Sequence, residues 1–378
     1  MSTTTQTYFP DAPVHPGETL QEVLESLSLS VLDVAVRTGI TPKHISHIIN
    51  GKALITPEMA LKLEKVTGTK ASFWNNLSRN YQASLAALEE QDHLVQEAEH
   101  IEAFRETYRE LSAKGILPKI PWLKGNLTAI TRELLQFFST HSLTFVPQTQ
   151  AAAYRRREQE VNQNTMAAII RLGERKAQTV QTEPFNRVAL RAALGEIKSY
   201  SLFKQGEYLP LLEEKLRTLG IVLVCVPGFS HTGLQGAAKW VDTDKAMIIL
   251  KADGQTAVTS FDEGKFWFNL FHEIGHLVLH GKKQTFIDLE DDPTSPEEKE
   301  ANLFASTQLV GNVQIPDLQE YKRGSAIRAD LAVQGLAKKY GVSQSVAAGH
   351  LSHLFKKTQP SVYAVLGDYQ KPLSYSNY

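Results

Sequence analysis

The residues best suited to chemistry in this 378-residue chain are His272 and His276, with Glu273 between them, in the stretch Phe271-His272-Glu273-Ile274-Gly275-His276. Histidines four apart share one face of a helix. Two imidazoles on one face can bind the same zinc ion, and a glutamate one position after the first ligand reaches the water in the open coordination position. That is the working arrangement of a metallopeptidase, with Glu273 as general base. The competing reading is two core histidines beside a helix-surface glutamate. Apolar residues at 270, 271, 274, 277, 278 and 279 weigh against it, because they bury the helix, and buried His and Glu need partners.

A peptidase zinc needs three protein ligands and one open position. Downstream lies Pro296-Glu297-Glu298-Lys299-Glu300-Ala301-Asn302-Leu303-Phe304-Ala305, where Pro296 signals a helix start. Glu298 is the chosen third ligand. Asn302, four residues on, shares its face and can hydrogen-bond a metal-bound imidazole to set its orientation. Glu297 and Glu300 compete with Glu298, and an acidic first turn favoured by the helix dipole is the bland alternative. His280 lies on the stripe of His272 and His276 but one turn too far along to share a tetrahedron, which suits a capping or supporting role.

These two stretches together, with Phe266-Trp267-Phe268 before them, resemble the ImmA/IrrE family of zinc metallopeptidases over residues 200 to 355. The resemblance implies a gluzincin-like core and a protein substrate that is a repressor-like regulator. Where such proteins usually have a proline soon after the Phe-Ala pair, this chain has Gln308-Leu309-Val310-Gly311. Residues 336 to 351 mimic a helix-turn-helix, but the resemblance implies that they are the peptidase's own helical extension. For a second oxyanion donor, Tyr340, His350 and His353 are candidates with no motif to choose among them.

The elements that must position this machinery are legible upstream. Gly206 to Leu219 reads as a helix and Ile221 to Pro227 as a buried strand. Gly233 to Val241 and Ala246 to Leu250 read as a hairpin turning at Asp242-Thr243-Asp244-Lys245. An edge strand of such a sheet can bind an extended peptide by adding it to the sheet. Further back, apolar spacing from Ala86 to Leu111 predicts one long connecting helix. Leu127 to Phe138, Met166 to Lys176 and Val188 to Ser199 predict further helices, and Leu143 to Pro147 a short strand. Arg155-Arg156-Arg157, followed at once by Glu158 and Glu160, reads as a solvated helix face.

The first 85 residues are a series of short, punctuated helices. Ser30 with Asp33 forms a capping-box pattern before a helix that stops at Gly39; Thr41-Pro42 starts the next, and Thr56-Pro57 repeats the signal. Ile45, Ile48 and Ile49 share one face of the second of these helices. Lys43, His47 and Asn50 point away from it, with His44 and Ser46 on the flanks and Lys52 just beyond, a hydrogen-bonding set suited to base edges and phosphates. Residues 1 to 90 hold seven Lys and Arg against nine Asp and Glu, so contact with DNA must come from that local face. His15-Pro16-Gly17-Glu18, Gly39-Ile40-Thr41, Ile45 to Lys52, Ile55 to Ala60 and Phe73-Trp74 resemble the HigA-type antitoxin branch of the phage-repressor-like helix-turn-helix family. That resemblance implies a homodimer on operator DNA, with the second helix in the major groove.

Composition sets outer bounds. With 42% hydrophobic and 21% charged residues the chain is globular, and a net charge of -1 predicts neither a nucleic-acid coat nor a membrane surface. The single cysteine, Cys225, excludes an internal disulfide and reads as a core residue. No signal peptide or membrane span is recognisable, so a cytoplasmic location is expected. The expected fold is α+β and predominantly helical. It comprises a polar tail (1-14), a helix-turn-helix domain (15-85), a helical connector (86-200) and a gluzincin-like zinc peptidase domain with a small sheet (201-378). The expected function is a DNA-binding regulator with zinc-dependent endopeptidase activity. One alternative is an antitoxin that binds a cognate toxin and its own operator, with the zinc structural or sensory; a self-cleaving repressor is the other.

Overall fold

The computed structural model describes residues 13–146, 162–230, 232–251, 262–281, 286–289, 295–323, 326–356 and 360–369. The run Arg155-Arg156-Arg157 lies outside these. The chain divides into two compact units, Met1–Glu99 and His100–Tyr378. No helix among the described residues is long and apolar enough to cross a membrane.

The first unit is all helical: α1 (Pro16–Ser26), α2 (Val31–Thr38), α3 (Pro42–Ile49), α4 (Pro57–Thr67) and α5 (Ala71–Glu97). The expected start signals act as caps. The Ser30 hydroxyl accepts from Asp33 N while Ser30 N donates to the Asp33 carboxylate, and Thr41 and Thr56 cap α3 and α4. Leu20, Val34, Ile45, Ile48, Met59, Leu63 and Trp74 are buried in one core. α2 and α3 meet across the left-handed Gly39 as a helix-turn-helix.

His15 caps α1 through Nδ1, which accepts from Gly17 N at 2.9 Å, while its ring stands edge-on to Tyr81. Burial lowers its pKa below the ordinary 6.5, with Glu18 pulling the other way. The neutral ring is therefore the folded form. Its contribution is complete above about pH 6.5 and is lost as pH falls through the lower folded-state value. Amide exchange in α1 should speed up as pH is lowered from about 7 to about 5, after correction for intrinsic rates, by the loss of a cap worth ~0.5–2 kcal/mol. His15→Asn, a cap that does not titrate, should remove that pH dependence, and an unchanged dependence would refute it.

In the second unit, strands β1 (Ile221–Val226), β2 (Leu234–Trp240), β3 (Ala246–Lys251) and β4 (Phe286–Leu289) form a sheet in the order β1-β3-β2-β4. β1 runs parallel to β3, and β2 is antiparallel to both β3 and β4. The helices on this sheet include α8 (Gln163–Thr179), α10 (Gln205–Thr218) and α11 (Glu263–Leu279). Leu223, Cys225, Ile248 and Leu250 face the core shared with α10 and α11. On the other face Gly173 of α8 lies against Met247 and Ile249. Burial on both faces is why β1 is a continuous apolar run instead of an alternating one. The hairpin between β2 and β3 forms as expected.

Two local expectations are corrected. The helix predicted over 86–111 is broken: α5 ends at Glu97, a 3-10 turn spans Ile101–Phe104, and α6 (Arg105–Ala113) begins anew. Leu94, Ile101, Phe104, Tyr108 and Leu111 are buried as their spacing implies. Periodicity reports the buried face but not whether the axis continues; here the 3-10 turn and α6 are held within the second unit, Phe104 edge-on to Phe138 of α7 (Leu127–Phe138) and Thr107 bonded to Thr165 of α8. The predicted strand at Leu143 is a 3-10 turn, Leu143–Phe145, because the Ser142 hydroxyl takes the Thr144 N–H and closes the backbone locally. Pro147 lies outside the described residues.

After α11 come α12 (Pro296–Val310), a small ladder of β5 (Lys322–Arg323) and β6 (Ala326–Ile327), then α13 (Ala329–Tyr340), α14 (Gln344–Phe355) and α15 (Pro360–Leu366). α13 and α14 are the pair that mimic a helix-turn-helix. Val342 and Val346 enter the core around α11, and Gly349 meets Gly264 of α11 backbone to backbone. They extend the second unit.

Candidate metal centre

α11 starts at Asp262, whose carboxylate accepts from Lys265 N at 2.9 Å, and most of its apolar residues are buried, Phe266, Trp267, Leu270, Phe271, Ile274, Leu277 and Val278, whereas Leu279, expected to help bury the helix, is exposed in its last turn. α12 starts at Ser295-Pro296, with the Ser295 hydroxyl accepting from Glu298 N, and ends at the left-handed Gly311. The two helices approach closely where Gly275 carries no side chain. A Cβ there would stand 3.1 Å from Phe304 and 3.3 Å from the Cα of Ala301. Close approach at that point brings the first turn of α12 over the histidine face of α11.

The result is a triangle of three side chains, in which the carboxylate meets each imidazole through a different oxygen. His272 Nε2 and His276 Nε2 are 2.9 Å apart, Glu298 Oε2 is 3.0 Å from His272 Nε2, and Glu298 Oε1 is 3.5 Å from His276 Nε2. Tetrahedral zinc with bonds of ~2.0–2.1 Å separates its ligands by about 3.3 Å, and these three spacings bracket that value. Among the described residues this is the group of His, Cys, Asp and Glu side chains near enough together to hold a metal. Asn302 Oδ1 lies 3.0 Å from His272 Nδ1, so the Nδ1–H donates to the amide oxygen and Nε2 keeps its lone pair.

Protonation also suits a cation. Burial would raise the Glu298 carboxyl, but the neighbouring His272 and His276 outweigh it and hold the pKa at about 2. Burial lowers His276 below its usual range, with Glu298 opposing. An ionised carboxylate and neutral imidazole are the forms that bind metal. Of the competing acids, Glu300 is 3.8 Å from His280 and mostly exposed, and Glu297 meets His280 Nε2 through its backbone oxygen at 3.3 Å. His280 therefore ties the end of α11 to the start of α12, while its own carbonyl accepts from Arg187 of α9 (Arg187–Ser199).

Glu273 is fully buried and lies against β2 at Gly236. Gly236 escaped the sequence reading; an isolated glycine inside a strand, a mark of close backbone approach, was the available signal. Of the oxyanion candidates, His350 donates through Nε2 to Val313 O at 2.8 Å, and Tyr340 packs over Gly311.

In the first unit, Ile45 and Ile48 are buried and Ile49 half-buried, while Lys43, His44, Asn50 and Lys52 are exposed and Ser46 and His47 half-buried. Asn50 Nδ2 turns back on its own helix, donating to Ser46 O at 2.7 Å and Ser46 Oγ at 3.2 Å. Lys43, His44, His47 and Lys52 make up the rest of this polar face.

Two family profiles match. Residues 20–74 match the helix-turn-helix family, and residues 259–352 match the IrrE N-terminal-like domain. The chain is similar to the HTH-type transcriptional regulator YddM of Escherichia coli (strain K12), 40% identical over 74 residues, which are 20% of this chain and 77% of that protein. An HTH-type regulator of Haemophilus influenzae is 46% identical over 66 residues, 17% of this chain and 62% of its own. Among solved structures, an addiction module antidote protein of a HigA family from Coxiella burnetii is 35% identical over 24% of this chain and 91% of its own, with a TM-score of 0.20. The Pseudomonas aeruginosa antitoxin HigA, solved with the higBA promoter, is 29% identical over 21% of this chain and 86% of its own, also with a TM-score of 0.20.

Proposed function

We propose, for a chain that belongs to the helix-turn-helix family and carries an IrrE N-terminal-like domain, a DNA-binding transcriptional regulator with a zinc-dependent endopeptidase that cuts a repressor-like regulator. The observation that carries the enzymatic half is the triangle formed by His272, His276 and Glu298, with Glu273 one residue from the first of them. Zinc held there would polarise the scissile carbonyl and acidify a water molecule. Glu273 takes a proton from the attacking water and passes it to the leaving amine. Asn302 keeps the His272 ring in the orientation and tautomer that present Nε2. Among the described residues β4 is an edge strand of the sheet, and an extended substrate can lie along such an edge by adding to it.

The test is incubation of the zinc-loaded protein, alone and with candidate repressor-like regulators, beside the Glu273→Gln variant, read by intact mass. Partner fragments that appear with wild type alone support the reading. Cleavage of neither partner nor self would remove the peptidase and leave the antitoxin alternative, while fragments of its own chain would point to the self-cleaving repressor.

For the DNA half, Lys43 and His47 supply donors on the face of α3 opposite Ile45 and Ile48. The double variant Lys43→Ala with His47→Ala should weaken binding to DNA from upstream of its own gene by ~1–3 kcal/mol and flatten the slope of log affinity against log salt. Fluorescence anisotropy across a salt series measures both. An affinity insensitive to salt would exclude this helix as the contact.

A further inference from the structure

We infer that Gly236 is a positioning residue for Glu273: the missing side chain on β2 is the space in which the carboxylate of the general base is held. The inference rests on the peptidase reading above for its catalytic consequence, but its geometric content stands by itself. Gly236 is an interior strand position, paired with Leu250 of β3 and with Asp288 of β4, and the β2–β4 register shifts between Leu234 and Gly236. Side chains alternate along a strand, so residue 236 points to the same face as Ala238, which lies in the core around α11.

A Cβ at position 236 would overlap Glu273 Oε1 and stand 3.1 Å from both Cδ and Cγ. Nothing larger than hydrogen fits while Glu273 keeps its place. One turn earlier on α11, Asn269 Nδ2 approaches Gln235 O at 3.5 Å, so two successive turns of the helix address neighbouring residues of β2.

Two ways of relieving an added methyl are available, and they differ in cost. Shifting α11 away from β2 would disturb a helix whose Phe266, Trp267, Leu270, Phe271 and Ile274 are fully buried, and close packing resists that. Rotating the far end of one flexible glutamate disturbs little. Alanine at 236 therefore turns Glu273 aside and leaves the helix, and with it His272 and His276, where they are. Ordinary contact at about 3.5 Å requires the carboxylate to move by roughly 1 Å. A misplacement of that size costs about 10²-fold in rate.

The experiment compares wild type with Gly236→Ala in three readouts. Crystal structures of both should show the Glu273 carboxylate displaced from β2 by roughly 1 Å, with α11 backbone and the zinc triangle superposing. Zinc stoichiometry and melting temperature should be unchanged, which a merely structural glycine would not allow. Where wild type cuts peptide, kcat should fall about 10²-fold with KM little altered, and Glu273→Asp should cost less in the Gly236→Ala background than in wild type, because the shorter side chain clears the added methyl. A carboxylate that stays in place, or joint loss of zinc and stability, overturns the inference. Wild type that cuts nothing overturns the peptidase reading, and the crystallographic comparison still decides the role of Gly236.

Discussion

Replacing Glu273 by glutamine is expected to leave one zinc per chain and to lower peptide hydrolysis by about 10²–10⁴-fold, the range spanned by general acid–base catalysis. Glutamine has the shape of glutamate, so the buried site between α11 and Gly236 stays filled and the helix that carries His272 and His276 is undisturbed. What is lost is the ability to accept a proton. Glu273 is not one of the three donors in the triangle, so metal content is independent of it. Metal analysis alongside steady-state hydrolysis of a cleavable regulator checks both halves. Equal turnover by the variant would remove Glu273 from the mechanism, and joint loss of zinc would make it a ligand.

The second large effect concerns the metal. Changing His272 or His276 to alanine removes one of three donors and should reduce bound zinc from one per chain to almost none at micromolar concentration. Asn302→Ala, which only releases the His272 ring, should weaken affinity about 10–100-fold. Binding of this kind is coupled to folding, so at zinc 100-fold above its dissociation constant wild type gains ~2.7 kcal/mol over the metal-free form. Chelation should therefore lower the melting temperature of wild type and leave that of His276→Ala unmoved. Stoichiometric zinc in both histidine variants would refute the site.

Most of the local architecture could be read directly because its causes are local. Ser30 with Asp33, Thr41 before Pro42, and Thr56 before Pro57 are caps, and they mark helix starts in the structure as in the sequence. The apolar run of β1 and the turn at Asp242–Lys245 behave likewise. Errors fell where a distant partner decides. Nothing within 86–111 signals that α6 is held by Phe138 and Thr165, and at Leu143 a single serine hydroxyl outweighs a β-favouring run.

The candidate site divides in the same way. That His272 and His276 face one point follows from helix geometry, because residues four apart lie one above the other whatever surrounds them. Which of Glu297, Glu298 and Glu300 meets them does not follow, since it depends on how α12 crosses α11. That crossing is set by Gly275 against Ala301 and Phe304 and by His280 bonded to Glu297, contacts between residues 17 to 29 positions apart. Gly236 is the extreme case: by itself a weak point in a strand, it acquires meaning only when folding lays Glu273 across it. Residue types and their spacing set the chemistry available; the packing of α11 between β2 and α12 decided which side chains meet, because close contact between distant segments is a property of the filled core and not of any one stretch of chain.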